Sequence, residues 1–271
     1  MNSLFDIKGK NILITGGTGV LGSEWSKYLA GQGAHLIVLG RALEDAQELV
    51  EQITSKGDQA IGFGCDVTNE EDLKRVAAGV KSQIGSLDVL INAAGGNMAG
   101  ATIAPKQTLL DSDVDALRKI IDLNYVGTYL SIKSFLPLFL DTKKGSIINI
   151  SSMSAGRPLT RVMGYSSSKA AIDNLTQWLA VEFAQKYGPE IRVNALAPGF
   201  FLTKQNKELL TNKDGRYTER ANTIISNTPM HRFGQPSELL GAMHYLCSEA
   251  SRFVTGTIMA IDGGFSAYSG V

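Results

Sequence analysis

Asn11-Ile12-Leu13-Ile14-Thr15-Gly16-Gly17-Thr18-Gly19-Val20-Leu21-Gly22 decides how the chain is read. An apolar run suited to a buried strand passes through a glycine-rich turn. It enters Ser23-Glu24-Trp25-Ser26-Lys27-Tyr28-Leu29-Ala30, whose spacing predicts a helix. Strand, tight turn and helix are the context in which Gly17-x-Gly19-x-x-Gly22 carries information. Glycines permit the turn, admit a pyrophosphate close to the backbone and let the helix pack near the strand. The helix N-terminus adds amide N–H groups and the positive end of its dipole. Gly16, Thr18, Gly19, Val20, Leu21 and Gly22 are therefore candidates to contact a dinucleotide.

Outward from this turn, strand-like runs at 11–15, 35–39, 60–64, 87–91, 146–150, 191–196 and 258–261 alternate with helical patterns. The helical patterns cover 21–32, 43–56, 69–84, 113–139, 164–187 and 236–249, with Thr68 and Ser112 as N-cap candidates. The runs are rich in Ile, Val and Leu and lack a polar face, as expected of a parallel sheet covered on both sides. Alternation implies right-handed crossovers. The expected fold class is α/β: a Rossmann-type, doubly wound, parallel seven-stranded sheet flanked by helices on both faces. Composition marks no linker, so residues 1–271 are read as one domain. Segments 95–112 and 200–235 break the alternation. Such loops lie beyond the carboxyl ends of strands, where ligands bind, and 200–235 is expected to form a substrate lid.

Of the 271 residues, 44% are hydrophobic and 19% charged, enough for a sizeable core. Lys+Arg and Asp+Glu are equal at 26 each, which argues against a nucleic-acid or membrane-surface partner. Cys65 and Cys247 lack metal-ligand spacing and read as reduced core thiols. Met1–Gly9 has no signal-peptide pattern, and no apolar run approaches the ~20 residues of a membrane span. A cytoplasmic enzyme without a metal is the expectation.

In dinucleotide folds an acid at the end of the second strand holds the ribose of NAD, whereas an arginine there accommodates the extra phosphate of NADP. Here His35-Leu36-Ile37-Val38-Leu39 is followed by Gly40-Arg41, and Glu44 and Asp45 lie a helical turn further on. Arg41 points to NADP, with NAD as the alternative if that side chain faces solvent.

Tyr165-Ser166-Ser167-Ser168-Lys169 opens a long helical pattern, and its i, i+4 spacing sets phenol and ammonium on one face. A positive charge beside a phenol favours the phenolate, so the tyrosine could exchange a proton with an alcohol oxygen. Strand Ile147-Ile148-Asn149-Ile150 ends in Ser151-Ser152, thirteen residues before that tyrosine. With the glycine turn, these features resemble the short-chain dehydrogenase/reductase family in its compact form, over nearly the whole chain. Asp66, with Val67 beside it, matches the acid that meets the adenine. Asn92-Ala93-Ala94-Gly95 matches the family's Asn-Asn-Ala-Gly strand end, with Ala93 a departure. Asn124 matches the active-site asparagine, and Ser152, Tyr165 and Lys169 complete the catalytic set. Pro198-Gly199 with Phe201 and Thr203 matches the segment that orients the nicotinamide carboxamide, and Asp262-Gly263-Gly264 the C-terminal signature. Val20 stands where compact members usually carry a glycine.

The resemblance implies Tyr165 as general acid/base and Lys169 as the group that lowers its pKa and holds the nicotinamide ribose. It implies Ser152 as hydrogen-bond donor to the substrate oxygen, and Asn124 as holder of a water linking Lys169 to solvent. Ser152 as a strand-end cap and Asn124 as a backbone ligand are the structural alternatives. It also implies a homotetramer, consistent with apolar Tyr129, Phe135, Leu138, Trp178 and Phe183 on more than one helix face.

For the substrate, Met153–Arg161 carries Arg157 and Arg161, and arginine matches a carboxylate bidentately. Asn97 and the segment Lys204-Gln205-Asn206-Lys207 add donors suited to hydroxyls, and Tyr217, Met230 and His231 are further lining candidates. Lys213-Asp214-Gly215-Arg216 reads as a hairpin tip. Arg157-Pro-Leu-Thr-Arg161 and Pro198-Gly-Phe-Phe-Leu-Thr203 are also similar to the family's sugar-acid branch, of the D-mannonate oxidoreductase (fructuronate reductase) kind. Gluconate 5-dehydrogenase and 3-oxoacyl-carrier-protein reductase are the alternative activities, and a dinucleotide-sensing regulator is the non-enzyme alternative.

Overall fold

The computed structural model describes residues 4–203, 207–212 and 214–270. Seven strands form one parallel sheet: β1 (Asn11–Thr15), β2 (His35–Gly40), β3 (Gln59–Gly64), β4 (Val89–Asn92), β5 (Lys144–Ile150), β6 (Glu190–Pro198) and β7 (Ile258–Ile261). Their order is β3-β2-β1-β4-β5-β6-β7. The chain leaves β1 on one side and returns at β4 on the other, with Ile12 opposite both Leu36 and Val89. That reversal between β1 and β4 opens a crevice at the strand ends.

Strand periodicity distributes the core. Ile12, Ile14, Leu36, Val38, Val89 and Ile91 face one layer, together with Trp25 and Leu29 of α1 (Val20–Gly31) and Met243 and Leu246 of α10 (Leu240–Cys247). Alternate residues Leu13, Ile37, Leu39, Leu90 and Ile147 face the other. There they meet Leu73 and Val76 of α3 (Glu70–Gln83) and Leu175 and Leu179 of α7 (Met163–Lys186). The first layer also holds α2 (Leu43–Thr54).

The pattern expected to be one helix over 113–139 is broken. It comprises α4 (Val114–Ile121), a π-helical turn at Asp122–Val126, α5 (Gly127–Phe135) and the short α6 (Pro137–Leu140). Asn124 lies in the π turn, where its Nδ2 donates to the Ile120 carbonyl at 2.9 Å. A side chain thus occupies an acceptor of the main-chain ladder, and such turns recur at functional sites. The expected caps are displaced by one residue. Asn69 accepts from the amides of Glu71 and Asp72, and Asp113 from those of Asp115 and Ala116. Thr68 is spent on Asp66, to which its hydroxyl donates at 2.7 Å.

Segment 200–235 holds two short helices, α8 (Lys207–Leu210) and α9 (Glu219–Ser226). It has its own small core of Leu210, Ala221, Ile224 and Phe233, against which Phe200 packs. Lys204, Gln205, Asn206 and Lys213 lie outside the described residues. Among the described residues, no helix is long and apolar enough to cross a membrane.

Candidate active site

The glycine turn is built for close approach. Gly16 has φ +62°, and a Cβ there would stand 2.7 Å from the Ala94 Cα. A Cβ on Gly22 would collide with the Gly16 carbonyl, while one on Gly19 meets only that carbonyl, at 3.2 Å. The glycine requirement therefore falls on Gly16 and Gly22, and Val20 is accommodated as the first residue of α1. Gly19 caps α1 without a side-chain hydrogen bond, so the first-turn amides face the crevice uncovered by a cap. A bare helix start beside a strand end suits a pyrophosphate. On the facing strand, Ala94 donates its amide to the Thr15 hydroxyl at 3.1 Å and Asn92 Nδ2 donates to Asn149 Oδ1 at 2.9 Å.

A cleft of about 470 Å³ runs from this turn to the start of α7. Gly16, Gly19, Val20, Leu21, Gly22, Ala93 and Gly95 line one end, and Ser152, Tyr165 and Lys169 the other. Pro198, Gly199, Phe201 and Thr203 form its far wall. A Cβ on Gly199 would stand 2.5 Å from that of Asp262, so the end of β6 passes tightly by the Asp262-Gly263-Gly264 turn. Phenol and ammonium, four residues apart on α7, thus open onto the cavity that the glycine turn frames.

Lys169 is 4% exposed and donates to the Ile150 carbonyl at 2.7 Å. Its Nζ lies 5.6 Å from the Tyr165 ring centre. Burial pushes the ammonium down to about 8, with Asp173 opposing. Burial also raises the Tyr165 phenol above its ordinary value, and a hydrogen bond with Ser152 draws it partly back. The phenol therefore departs from the expectation that lysine depresses it: burial raises it, and Ser152, not Lys169, draws it back. Ser152 accepts from the Ser154 amide at 3.2 Å and the Ser154 hydroxyl at 3.0 Å, which leaves its own proton for the cleft.

Asn124 follows the backbone-ligand alternative. Its Oδ1 accepts from the Gly96 amide at 3.0 Å and its Nδ2 donates to the Gly96 carbonyl at 2.9 Å. Its side chain therefore clamps the loop after β4. Gly95 passes so near that a Cβ would meet Asn124 Oδ1 at 2.7 Å and Lys169 Nζ at 3.4 Å.

The remaining candidates are more dispersed. Asp66 is exposed and accepts from the Thr68 amide at 2.9 Å, with Val67 buried beneath it. Arg41 is exposed at the end of β2, where Thr18 leans over Gly40. Of the residues expected to meet the substrate, Ser152 lines the cleft and Asn97, Arg157 and Arg161 do not. Arg157 donates to the Ser266 carbonyl at 3.2 Å, Arg161 to the Ile103 carbonyl at 2.8 Å and Asn97 to the Thr102 hydroxyl at 2.8 Å. All three are exposed. Tyr217 packs edge-on against Phe233 at 5.6 Å and Met230 lines a small pocket beside Gly263, while His231 is exposed.

Several cleft residues escaped the sequence reading: Trp25, Gly96, Ile150, Ser151 and Phe200. Asp173, half-buried four residues beyond Lys169, with a buried Oδ1 that has no hydrogen-bond partner among the described residues, could have been found from helical spacing. Both thiols are buried and pushed up to about 12, as inert core groups. Among the described residues no three His, Cys, Asp or Glu side chains are grouped to hold a metal ion.

Residues 19–266 match the protein-family model described as enoyl-(acyl carrier protein) reductase, a short-chain dehydrogenase model. The chain is 42% identical over 275 residues to the oxidoreductase UxuB of Bacillus subtilis, itself uncharacterized, with 98% of each chain covered. It is 32% identical over 264 residues to 5-keto-D-gluconate 5-reductase of Escherichia coli, covering 97% of this chain and 98% of that one. A crystal structure from Haemophilus influenzae, provisionally named a D-mannonate oxidoreductase and holding NAD, superposes with a TM-score of 0.92. The identity is 41% and both chains are covered in full.

Proposed function

The chain belongs to the short-chain dehydrogenase/reductase family, and from that premise we propose that this nicotinamide-dependent oxidoreductase interconverts a secondary alcohol and a ketone on a sugar acid. The observation that carries the reading is the shared cleft of Ser152, Tyr165 and Lys169 with the glycine turn. The names of the Escherichia coli and Haemophilus influenzae relatives support the sugar-acid class.

The cradle fits a dinucleotide: the turn closes too tightly for side chains at Gly16 or Gly22, and α1 starts on the cleft with no side-chain cap over its first-turn amides. Gly16 to Gly22 would hold the pyrophosphate, Asp66 and Val67 the adenine end, and Pro198 to Thr203 the carboxamide end. The nicotinamide, when bound, supplies or accepts the hydride. Tyr165 gives a proton to the substrate oxygen during reduction and takes one during oxidation. Ser152 donates a hydrogen bond to that oxygen and stabilises the charge that develops on it. Lys169 keeps a positive charge next to the phenol, and Asn124 holds the Gly95-Gly96 loop that borders it.

Arg41 favours NADP, because no carboxylate stands at the end of β2. NAD is the second reading, favoured by the NAD in the Haemophilus influenzae structure. Kinetics with each cofactor, repeated on Arg41→Ala, separate them: loss of NADP affinity alone supports the first. Segment 200–235 would act as the lid. Tyr129, Trp178 and Val181, exposed on α5 and α7, support a homotetramer. Following reduced-cofactor absorbance with aldonates, ketoaldonates and acetoacetyl thioesters tests the function. Turnover of thioesters alone would refute the sugar-acid reading.

A further inference from the structure

A second cavity of about 380 Å³ lies against the cleft. Phe200 lines both spaces. The cavity's other walls include Thr160, on the loop that follows Ser152, and Glu219, Arg220, Thr223 and Asn227 of α9 and its end. The two spaces thus adjoin at Phe200, and the small core of segment 200–235 reaches the second one through Ile224.

The cations near this space are almost all committed. Lys169 is buried on the Ile150 carbonyl. Arg157 and Arg161 serve backbone carbonyls. Arg232 grips both carboxylate oxygens of Glu238 at 2.6 and 2.7 Å, and Arg216 is paired with Asp214. Arg220 differs. Among the described residues its guanidinium makes no hydrogen bond and no ion pair, although Glu219 precedes it.

We propose that Arg220 binds the carboxylate of the substrate, with Glu219, Asn227 and Thr160 placed for its hydroxyls. This inference rests on the sugar-acid reading and assigns its recognition to α9 rather than to Arg157 and Arg161. An unpaired guanidinium has donors free for a bidentate match to a carboxylate. Glu219, also without an ion-pair partner among the described residues, opposes a second negative group but accepts from hydroxyls. An acid at one end of a polyhydroxy chain satisfies both.

Steady-state kinetics on the wild type, Arg220→Ala and Arg220→Lys test the proposal, with the sugar acid that the wild type turns over and its uncharged primary amide. In Arg220→Ala, KM for the acid rises roughly 10- to 100-fold, the range for loss of a charge-assisted pair. KM for the amide and kcat for the acid stay within a few-fold, and Arg220→Lys recovers part of the loss. Arg220 is exposed, so thermal melts of the variants should overlay the wild type. An unchanged KM for the acid overturns the proposal, as does an equal rise for acid and amide, which would mark a structural role. Absence of any sugar-acid turnover by the wild type is a different result, which removes the parent reading and this one with it.

Discussion

Replacing Lys169 with methionine separates what the buried ammonium costs from what it does. The native side chain is 4% exposed and its ammonium is pushed from 10.5 to about 8. At 1.36 kcal/mol per pH unit, that displacement corresponds to about 3 kcal/mol of folding free energy. Below pH 8 both folded and unfolded chains carry the proton, and the full penalty applies. Above 10.5 neither does, and it vanishes. Between these limits the unfolded chain binds more proton, so this lysine makes wild-type stability rise with pH. Between pH 7 and pH 9.5 the wild type should gain about 2 kcal/mol relative to Lys169→Met. Titrating groups away from Lys169 are common to both proteins and cancel in the difference; the carboxyl of Asp173, which the ammonium draws down, does not and is followed separately. Loss of the donor to the Ile150 carbonyl shifts the variant's stability equally at every pH and leaves the slope intact. Urea unfolding of both proteins, followed by the fluorescence of buried Trp25 and exposed Trp178, gives the difference at each pH. A flat difference, or one that moves against the wild type as pH rises, would refute the claim that burial dominates at this position. The variant should also lose turnover.

Tyr165→Phe keeps the ring and removes the proton, so kcat should fall by at least 10²- to 10⁴-fold while fluorescence titration shows cofactor binding intact. Gly16→Ala places a Cβ at φ +62° against the Ala94 backbone; stability should fall by about 1–3 kcal/mol and cofactor affinity with it, measured by melting and titration. Trp178→Glu puts a charge on the exposed apolar face of α7, and light scattering should show a smaller particle than the wild type.

Much of this architecture was legible in the sequence because its signals are local. Runs of Ile, Val and Leu marked the strands and their alternation with helical patterns implied parallel, right-handed crossovers, whereas the order of the strands is seen only in the folded sheet. Tyr165 and Lys169 stand four residues apart, a spacing that any helix sets on one face, and it was the Ser152 strand end and the glycine turn, through the family resemblance, that singled them out. The break in the pattern over 113–139 was not legible, since apolar spacing alone does not reveal that Asn124 serves both Ile120 and Gly96. The caps were misplaced by one residue because Thr68 and Asn69 are equally suitable by type, and only the position of Asp66 decides between them.

The sequence by itself determined the doubly wound sheet, the dinucleotide turn and the pairing of phenol with ammonium. Each depends on residues close in the chain, whose relative positions a strand, turn or helix dictates. Only the tertiary structure decided how deeply Lys169 is desolvated, and that Arg157 and Arg161 are spent on carbonyls while Arg220, among the described residues, is left unpaired. Desolvation and ion pairing depend on which groups meet through space. Five arginines of one loop-rich region look alike until the chain has folded around them.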